Sequence, residues 1–180
     1  MDHESFPPVE PRDPASAGTH ATSSAVVIRA AKARDVRAIA AIQRQSFPPR
    51  LAYGTVALLT LLFWPGVCFL VAQDRQTHRI IGNGIADRYK GNARVMNLAI
   101  DPAWRRRGIG RELLRALGEA MPEGDITLMV QEHNSGAQAL YASEGFVRTG
   151  LSRDYYGAGQ HGIAMRKARH PETPPGTISI

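Results

Sequence analysis

Cysteine is almost missing from this chain: Cys68 stands alone among 180 residues. One thiol can close no disulfide within the chain and supports no cysteine-based metal site. Nothing beside it in Val67-Cys68-Phe69-Leu70-Val71 would lower its pKa, so it is read as a small buried hydrophobe and no metal is expected. Long apolar runs are missing too. The most apolar stretch, 56–70, is interrupted by Trp64-Pro65-Gly66, which leaves it too short to span a bilayer. The N-terminus carries Asp2, Glu4 and several prolines where a secretory leader needs basic residues and then an apolar run. A cytoplasmic protein without a membrane partner is therefore expected. Finally, no block of five like charges occurs, although 22 Lys and Arg against 16 Asp and Glu leave a net charge of +6. Charge spread in this way fits a solvated basic surface with an anionic ligand better than a nucleic-acid arm, so nucleic acid is not expected as a partner.

What is present is enough for one core. At 43% hydrophobic residues the chain can fold as a single domain with tails. Residues 1–24 are rich in Pro, Ala, Ser, Thr and His and offer little to bury, so a disordered tail is expected there. The domain is expected over 25–168, and a flexible tail over 169–180 with three further prolines. Between the tails, periodicity and turn residues give strand 26–28, helix 35–45, helix 55–63, strands 67–73 and 80–86, a polar hairpin turn 87–92 and strand 94–100. Then come a helix from about Arg111 to Met121, strand 126–130, a helix capped by Asn134 or Ser135, and strands 146–151 and 161–165. The strands at 94–100 and 126–130 have a helix between them and are expected to be parallel.

One stretch organises the rest: 97–121, NLAIDPAWRRRGIGRELLRALGEAM. It reads as a strand end, a turn at Asp101-Pro102, a basic glycine loop and a helix. Gly108 and Gly110 allow close backbone approach, and the first N–H groups of the next helix have no partners within it. Such a terminus favours anions, and Arg105, Arg106, Arg107 and Arg111 add cationic donors, so a pyrophosphate is the natural ligand. There is no Gly-Lys-Ser/Thr for a P-loop and no third glycine for a dinucleotide fingerprint. A basic surface turn is the bland alternative.

Arg105-x-x-Gly108-x-Gly110, with its preceding strand and following helix, resembles the acetyl-coenzyme A loop of the Gcn5-related N-acetyltransferase (GNAT) superfamily. The resemblance covers about residues 26–167. It implies an α/β fold: a mixed, mostly antiparallel sheet of six to seven strands, helices on both faces, and a splayed parallel central strand pair. It also implies acetyl-coenzyme A as co-substrate, held by Arg105, Arg106, Arg107, Gly108, Ile109, Gly110 and Arg111 and by the backbone of Leu98, Ala99 and Ile100. In a second motif, 131–146, the resemblance makes Asn134 a coenzyme contact and Tyr141 the group beside its sulfur, serving as general acid. A helix cap and a buried aromatic explain the same two residues structurally.

Within the superfamily, Asn97 to Ile100, the second motif and Arg153-x-Tyr155-Tyr156 look most like ribosomal-protein-alanine N-terminal acetyltransferases. Phe47-Pro48 is similar to their substrate-side Phe-Pro, so the resemblance has Phe47, Tyr155 and Tyr156 line a slot for a peptide N-terminus; loop aromatics packing on the sheet are the alternative reading of the three. Those relatives have Leu-Glu-Val-Arg where this chain has Leu128-Met129-Val130-Gln131. Met129 accepts no proton, which shifts the general base to Glu132 or His133, acting directly or through water, or leaves the amine to arrive neutral. An N-acetyltransferase acting on a protein N-terminal amine or a small primary amine, as monomer or homodimer, is the expectation. A coenzyme-binding regulatory module without catalysis is the alternative.

Overall fold

The computed structural model describes residues 25–169; the expected tails, 1–24 and 169–180, lie outside it except for Arg169. Seven strands and four helices follow in order: β1 (Val26–Ala30), α1 (Val36–Ser46), α2 (Thr55–Phe63), β2 (Cys68–Asp74), β3 (Ile80–Tyr89), β4 (Asn92–Ile100), α3 (Ile109–Ala120), β5 (Ile126–Gln131), α4 (Ser135–Ser143), β6 (Val147–Ser152) and β7 (Gly162–Lys167). The strands make one sheet in the order β1-β2-β3-β4-β5-β7-β6. Every pairing is antiparallel except β4 with β5, as expected for strands joined through α3.

Each helix lies where its apolar stripe finds a sheet face. Val36, Ile39 and Ala40 of α1 and Leu58 of α2 bury against Phe69, Val71 and Ile85 on one face. Leu114 and Leu117 of α3, Met121 just after it and Tyr141 of α4 bury against Val95, Leu128 and Val130 on the other. The glycines of β3 allow α3 this close. A Cβ on Gly82 would fall 2.7 Å from Ile100 Cδ1 and 3.3 Å from Leu113 Cδ1, and one on Gly84 2.9 Å from Leu117 Cδ1. Glycine within a strand here serves close approach of the covering helix.

Most boundaries shift from the sequence expectation by one or two residues, and two of the shifts have a clear physical reason. The polar stretch 87–92 is strand for most of its length: Asp87, Arg88 and Tyr89 pair with Arg94, Ala93 and Asn92, and only Lys90-Gly91 turns the chain. Both turn residues have positive φ, 50° and 77°, which suits a two-residue hairpin loop. The polar residues satisfy one another across the ladder, Arg94 Nε donating to Asp87 Oδ1 at 2.9 Å while its guanidinium covers the Tyr89 ring at 4.3 Å. Helix α3, for its part, begins at Ile109 rather than near Arg111, because Gly108 takes the left-handed conformation (φ 82°) that starts it.

β4 carries the irregularity that matters most. Ile85 opposes Asn97 but Ala86 opposes Val95, so Met96 is an extra residue without an opposite number. An odd insertion reverses the alternation of a strand. Ala93 and Val95 accordingly join the α3–α4 core, and past the bulge it is Leu98 and Ile100, not Asn97 and Ala99, that turn to α3.

Candidate active site

The site starts as a gap in the sheet. β4 and β5 pair only from Ala93↔Ile126 to Val95↔Leu128. Beyond that β5 stays with β7 as far as Gln131↔Gly162, while β4 follows β3 as far as Ile100↔Gly82. The parallel pair is therefore splayed. Alternation tells which backbone groups face the opening: the Asp101 N–H donates to Ile81 O at 2.9 Å, towards β3, so Ala99 also faces β3 and Leu98 and Ile100 face the gap. Ala99 is 2% exposed and paired with Asn83, so its backbone is turned away from the opening.

Beside the gap lies the glycine loop. Asp101 accepts from the Ala103 N–H at 3.0 Å and opens a 3₁₀ turn, Pro102–Trp104. Gly108 then accepts from the N–H groups of Arg111 and Glu112. A Cβ at Gly108 would meet nothing within 4 Å, so this helix start faces open space. The first-turn N–H groups of Ile109 and Gly110 have no acceptor within the helix. A Cβ at Gly110 would lie 3.3 Å from Leu140 Cδ2, so this glycine brings α3 against α4. Together these features fit a diphosphate.

The four arginines do not all point at such a ligand. Arg105 donates to Ile100 O and to Ser46 Oγ, each at 3.2 Å. It thus occupies the Ile100 carbonyl and leaves the N–H at that edge. Arg107 stacks on Trp104 at 4.8 Å. Arg111 bonds Ser143 Oγ at 3.2 Å and pairs with Glu144 at 2.9 Å. Arg106 sits at φ 64° within the loop. Glu144 is 7% exposed and chelated by Arg115 at 2.8 and 2.9 Å; that bond, with Arg111 nearby, holds its carboxyl below the usual carboxylate range.

The second motif supplies a cap and a phenol. Asn134 Oδ1 accepts the Ala137 N–H at 3.1 Å and starts α4, so the cap reading holds whatever its amide group also binds. Tyr141 is 8% exposed in the core containing Val95, Leu128 and Val130, where β4 and β5 part, and its ring meets Phe146 at 5.7 Å. Burial pushes its phenol up to about 12. Glu132 is exposed; its backbone is held by His161 O and Gln138, which leaves its carboxylate toward solvent.

On the α1–α2 face of the gap stands an aromatic group. Tyr155 and Tyr156 meet edge-on at 4.8 Å, and the Tyr156 hydroxyl donates to Met129 O at 2.8 Å. Burial, with Tyr155, Tyr141 and Tyr53 close by, pushes the Tyr156 phenol far up. Met129 lies beside them: a Cβ on Gly162 would fall 2.7 Å from its Sδ and 3.1 Å from Tyr155 Cβ. Phe47, half-buried, follows α1, whose end is fastened by Ser46 and by the Phe47 N–H bonded to Gln43 O. Among the described residues no three His, Cys, Asp or Glu side chains group as metal ligands, and no helix is long and apolar enough to cross a membrane.

Sequence reasoning passed over three residues near the gap. Gln43, Asn83 and Asn97 bond one another through their buried side-chain amides. Gln43 had a signal, for it continues the 36, 39, 40, 43 spacing of the apolar face of α1 with a polar residue.

The site is thus a splayed parallel strand pair beside a glycine-started helix, and comparison with known proteins gives the class. The family model described as acetyltransferase (GNAT) domain matches residues 65–148. The [ribosomal protein bS18]-alanine N-acetyltransferase of Haemophilus ducreyi is 33% identical over 100 residues, covering 54% of this chain and 69% of that protein. The chain belongs to the GNAT acetyltransferase family. The N-alpha-acetyltransferase RimI of Mycobacterium tuberculosis is 45% identical over 74 residues, 41% of this chain and 47% of that one. The chain spans about half the length of the curated relatives it matches first. Two solved structures share the fold at lower identity. Ard1 from Thermoplasma volcanium has a TM-score of 0.73 at 24% identity over 82% of this chain and 99% of that one. The yncA protein of Salmonella typhimurium, solved with its cofactor acetyl-CoA, has 0.70 at 18% over 86% and 99%.

Proposed function

We propose that residues 25–168 form one cytoplasmic N-acetyltransferase domain that moves an acetyl group from acetyl-CoA to a primary amine, preferably the N-terminal amine of a protein. The observation that carries this reading is the gap between β4 and β5, with the Leu98 and Ile100 backbone on its edge and the start of α3 beside it. Bound acetyl-CoA would supply the thioester. Ile109, Gly110 and Arg106 would hold its diphosphate, with Asn134 a further contact. An N–H of the β4 edge would stabilise the carbonyl oxygen as it becomes an oxyanion. In the reaction the amine nitrogen forms a bond to the acetyl carbon, the C–S bond breaks, and one proton lost by the amine ends on the thiol. A phenol at about 12 keeps its proton against a thiol of reference pKa about 8.5, so Tyr141 would stabilise the departing sulfur by hydrogen bonding rather than by full proton transfer. Glu132 would take the amine's proton through water, and Phe47, Tyr155 and Tyr156 would hold the acceptor.

Incubation with acetyl-CoA and a panel of peptides and small amines, followed by measurement of free thiol, tests this. Amine-dependent thiol release is expected. Coenzyme binding without turnover on any amine would instead favour a regulatory module, the second reading, which Met129 in the base position recommends.

A further inference from the structure

Three uncharged amides sit where an interior would ordinarily be apolar. Gln43 of α1 and Asn83 of β3 are fully buried, and Asn97 of β4 is 8% exposed. Gln43 Nε2 donates to Asn83 Oδ1 (3.1 Å) and Asn97 Oδ1 (2.7 Å), Asn83 Nδ2 donates to Asn97 Oδ1 (2.9 Å), and Asn97 Nδ2 returns a bond to Gln43 Oε1 (3.2 Å). Asn97 is the acceptor common to the other two. It also follows Met96, the extra residue at which β4 changes phase.

From this juxtaposition we infer that Gln43, Asn83 and Asn97 are positioning residues that fix the register of β4 beyond its bulge, so that the Leu98 and Ile100 backbone faces the gap. The reasoning is steric and electrostatic. Without the bulge, alternation would continue unbroken from Ala93 and Val95, Asn97 would point at α3, and its backbone would face β5. Gln43 and Asn83 would then be left buried with donors and an acceptor unused, which an apolar pair would tolerate and an amide pair does not. Met96, Leu98 and Ile100 are all apolar, and burial alone discriminates weakly between the two phases. The amides supply the discrimination. They also tie this stretch of β4 to the last turn of α1, where Ser46 approaches Ile100 O (3.4 Å) and Phe47 begins the loop on the acceptor side.

The register requires no ligand, whereas its catalytic consequence rests on the acetyltransferase reading, so the test has two arms. The variant Gln43→Met/Asn83→Leu/Asn97→Leu keeps the length of each side chain and removes every amide; Gln43→Met alone adds less bulk and decides the matter if the triple variant does not fold. In the ligand-free protein, NMR should show Hα–Hα contacts for Gly84–Leu98 and Gly82–Ile100 in the wild type. In the variants these should weaken or be joined by contacts to Asn83's strand neighbours one residue out of step. Both variants should bind acetyl-CoA within about threefold of wild type, since the glycine loop is untouched, while kcat falls at least about tenfold in the triple variant with little change in KM. Wild-type cross-strand contacts in the folded variants would overturn the inference. Displaced contacts together with a wild type that transfers no acetyl group would uphold the register and remove the catalytic reading instead.

Discussion

Tyr141 illustrates how burial assigns a role to a side chain. Desolvation raises its phenol to about 12, so it remains protonated throughout the working range and keeps an O–H to donate. Replacing it with Phe preserves the packing on Phe146 and removes the donor. Turnover should fall by about two orders of magnitude with coenzyme affinity nearly unchanged, as steady-state kinetics and calorimetric titration would show. Gly108 makes the complementary case. Its φ of 82° costs an L-residue about 1–2 kcal/mol, so Gly108→Ala should lower the melting temperature and weaken acetyl-CoA binding, although a methyl group there has ample room. Both residues could be picked out from sequence, Gly108 by its place in the loop and Tyr141 by its distance from Asn134. The saturation of Arg105, Arg107 and Arg111 by partners could not, because Ile100 O, Trp104 and Glu144 approach them only in the folded chain.

At the level of elements, the contact of α3 with β3 depends on glycine. Gly82→Val would place methyl groups where even a Cβ falls 2.7 Å from Ile100 Cδ1 and 3.1 Å from Ala99 O, and should cost about 1–3 kcal/mol, read as a lower denaturation midpoint. The joint between α3 and α4 is electrostatic. Glu144, held by Arg115 and Arg111, has a folded-state pKa below its ordinary 4.5, so its contribution is complete above that value and drains away as pH falls through the lower, folded value. Thermal melts from pH 6 to pH 3 should therefore show a steep acid loss that is blunted in Glu144→Gln. Element order was legible throughout, since periodicity records which face is buried. The phase change in β4 was not legible, since apolar residues stand at 93, 95, 96, 98, 99 and 100 and fit either phase. Periodicity also missed the extension of β3 to Tyr89, because Asp87 and Arg94 look like turn residues until they are seen to pair across the ladder.

For the whole molecule, the replacement of a carboxylate by Met129 on the acceptor side has a kinetic signature. With no strong base at that position, the reactive amine is the neutral fraction. At pH 7.4 that is about a third of a protein α-amine but about a thousandth of a lysine side chain. N-terminal peptides should thus be acetylated roughly two orders of magnitude faster than lysine side chains, and kcat/KM should rise with pH to a plateau set by each acceptor's own pKa. A plateau at one pH common to all acceptors would point to an enzyme group that deprotonates the ammonium form before attack, and against a reaction in which Glu132 takes only the proton released by the neutral amine after it has attacked. By itself the sequence determined the strand and helix order, the glycine loop, the second motif and hence the family, because these depend on spacing between near neighbours along the chain. Only the tertiary structure decided which backbone edges face the gap, which arginines are already spent and which amides lock β4. Each of those outcomes depends on groups that are distant in the chain and meet only when the sheet and its covering helices have closed, and local periodicity carries no record of such meetings.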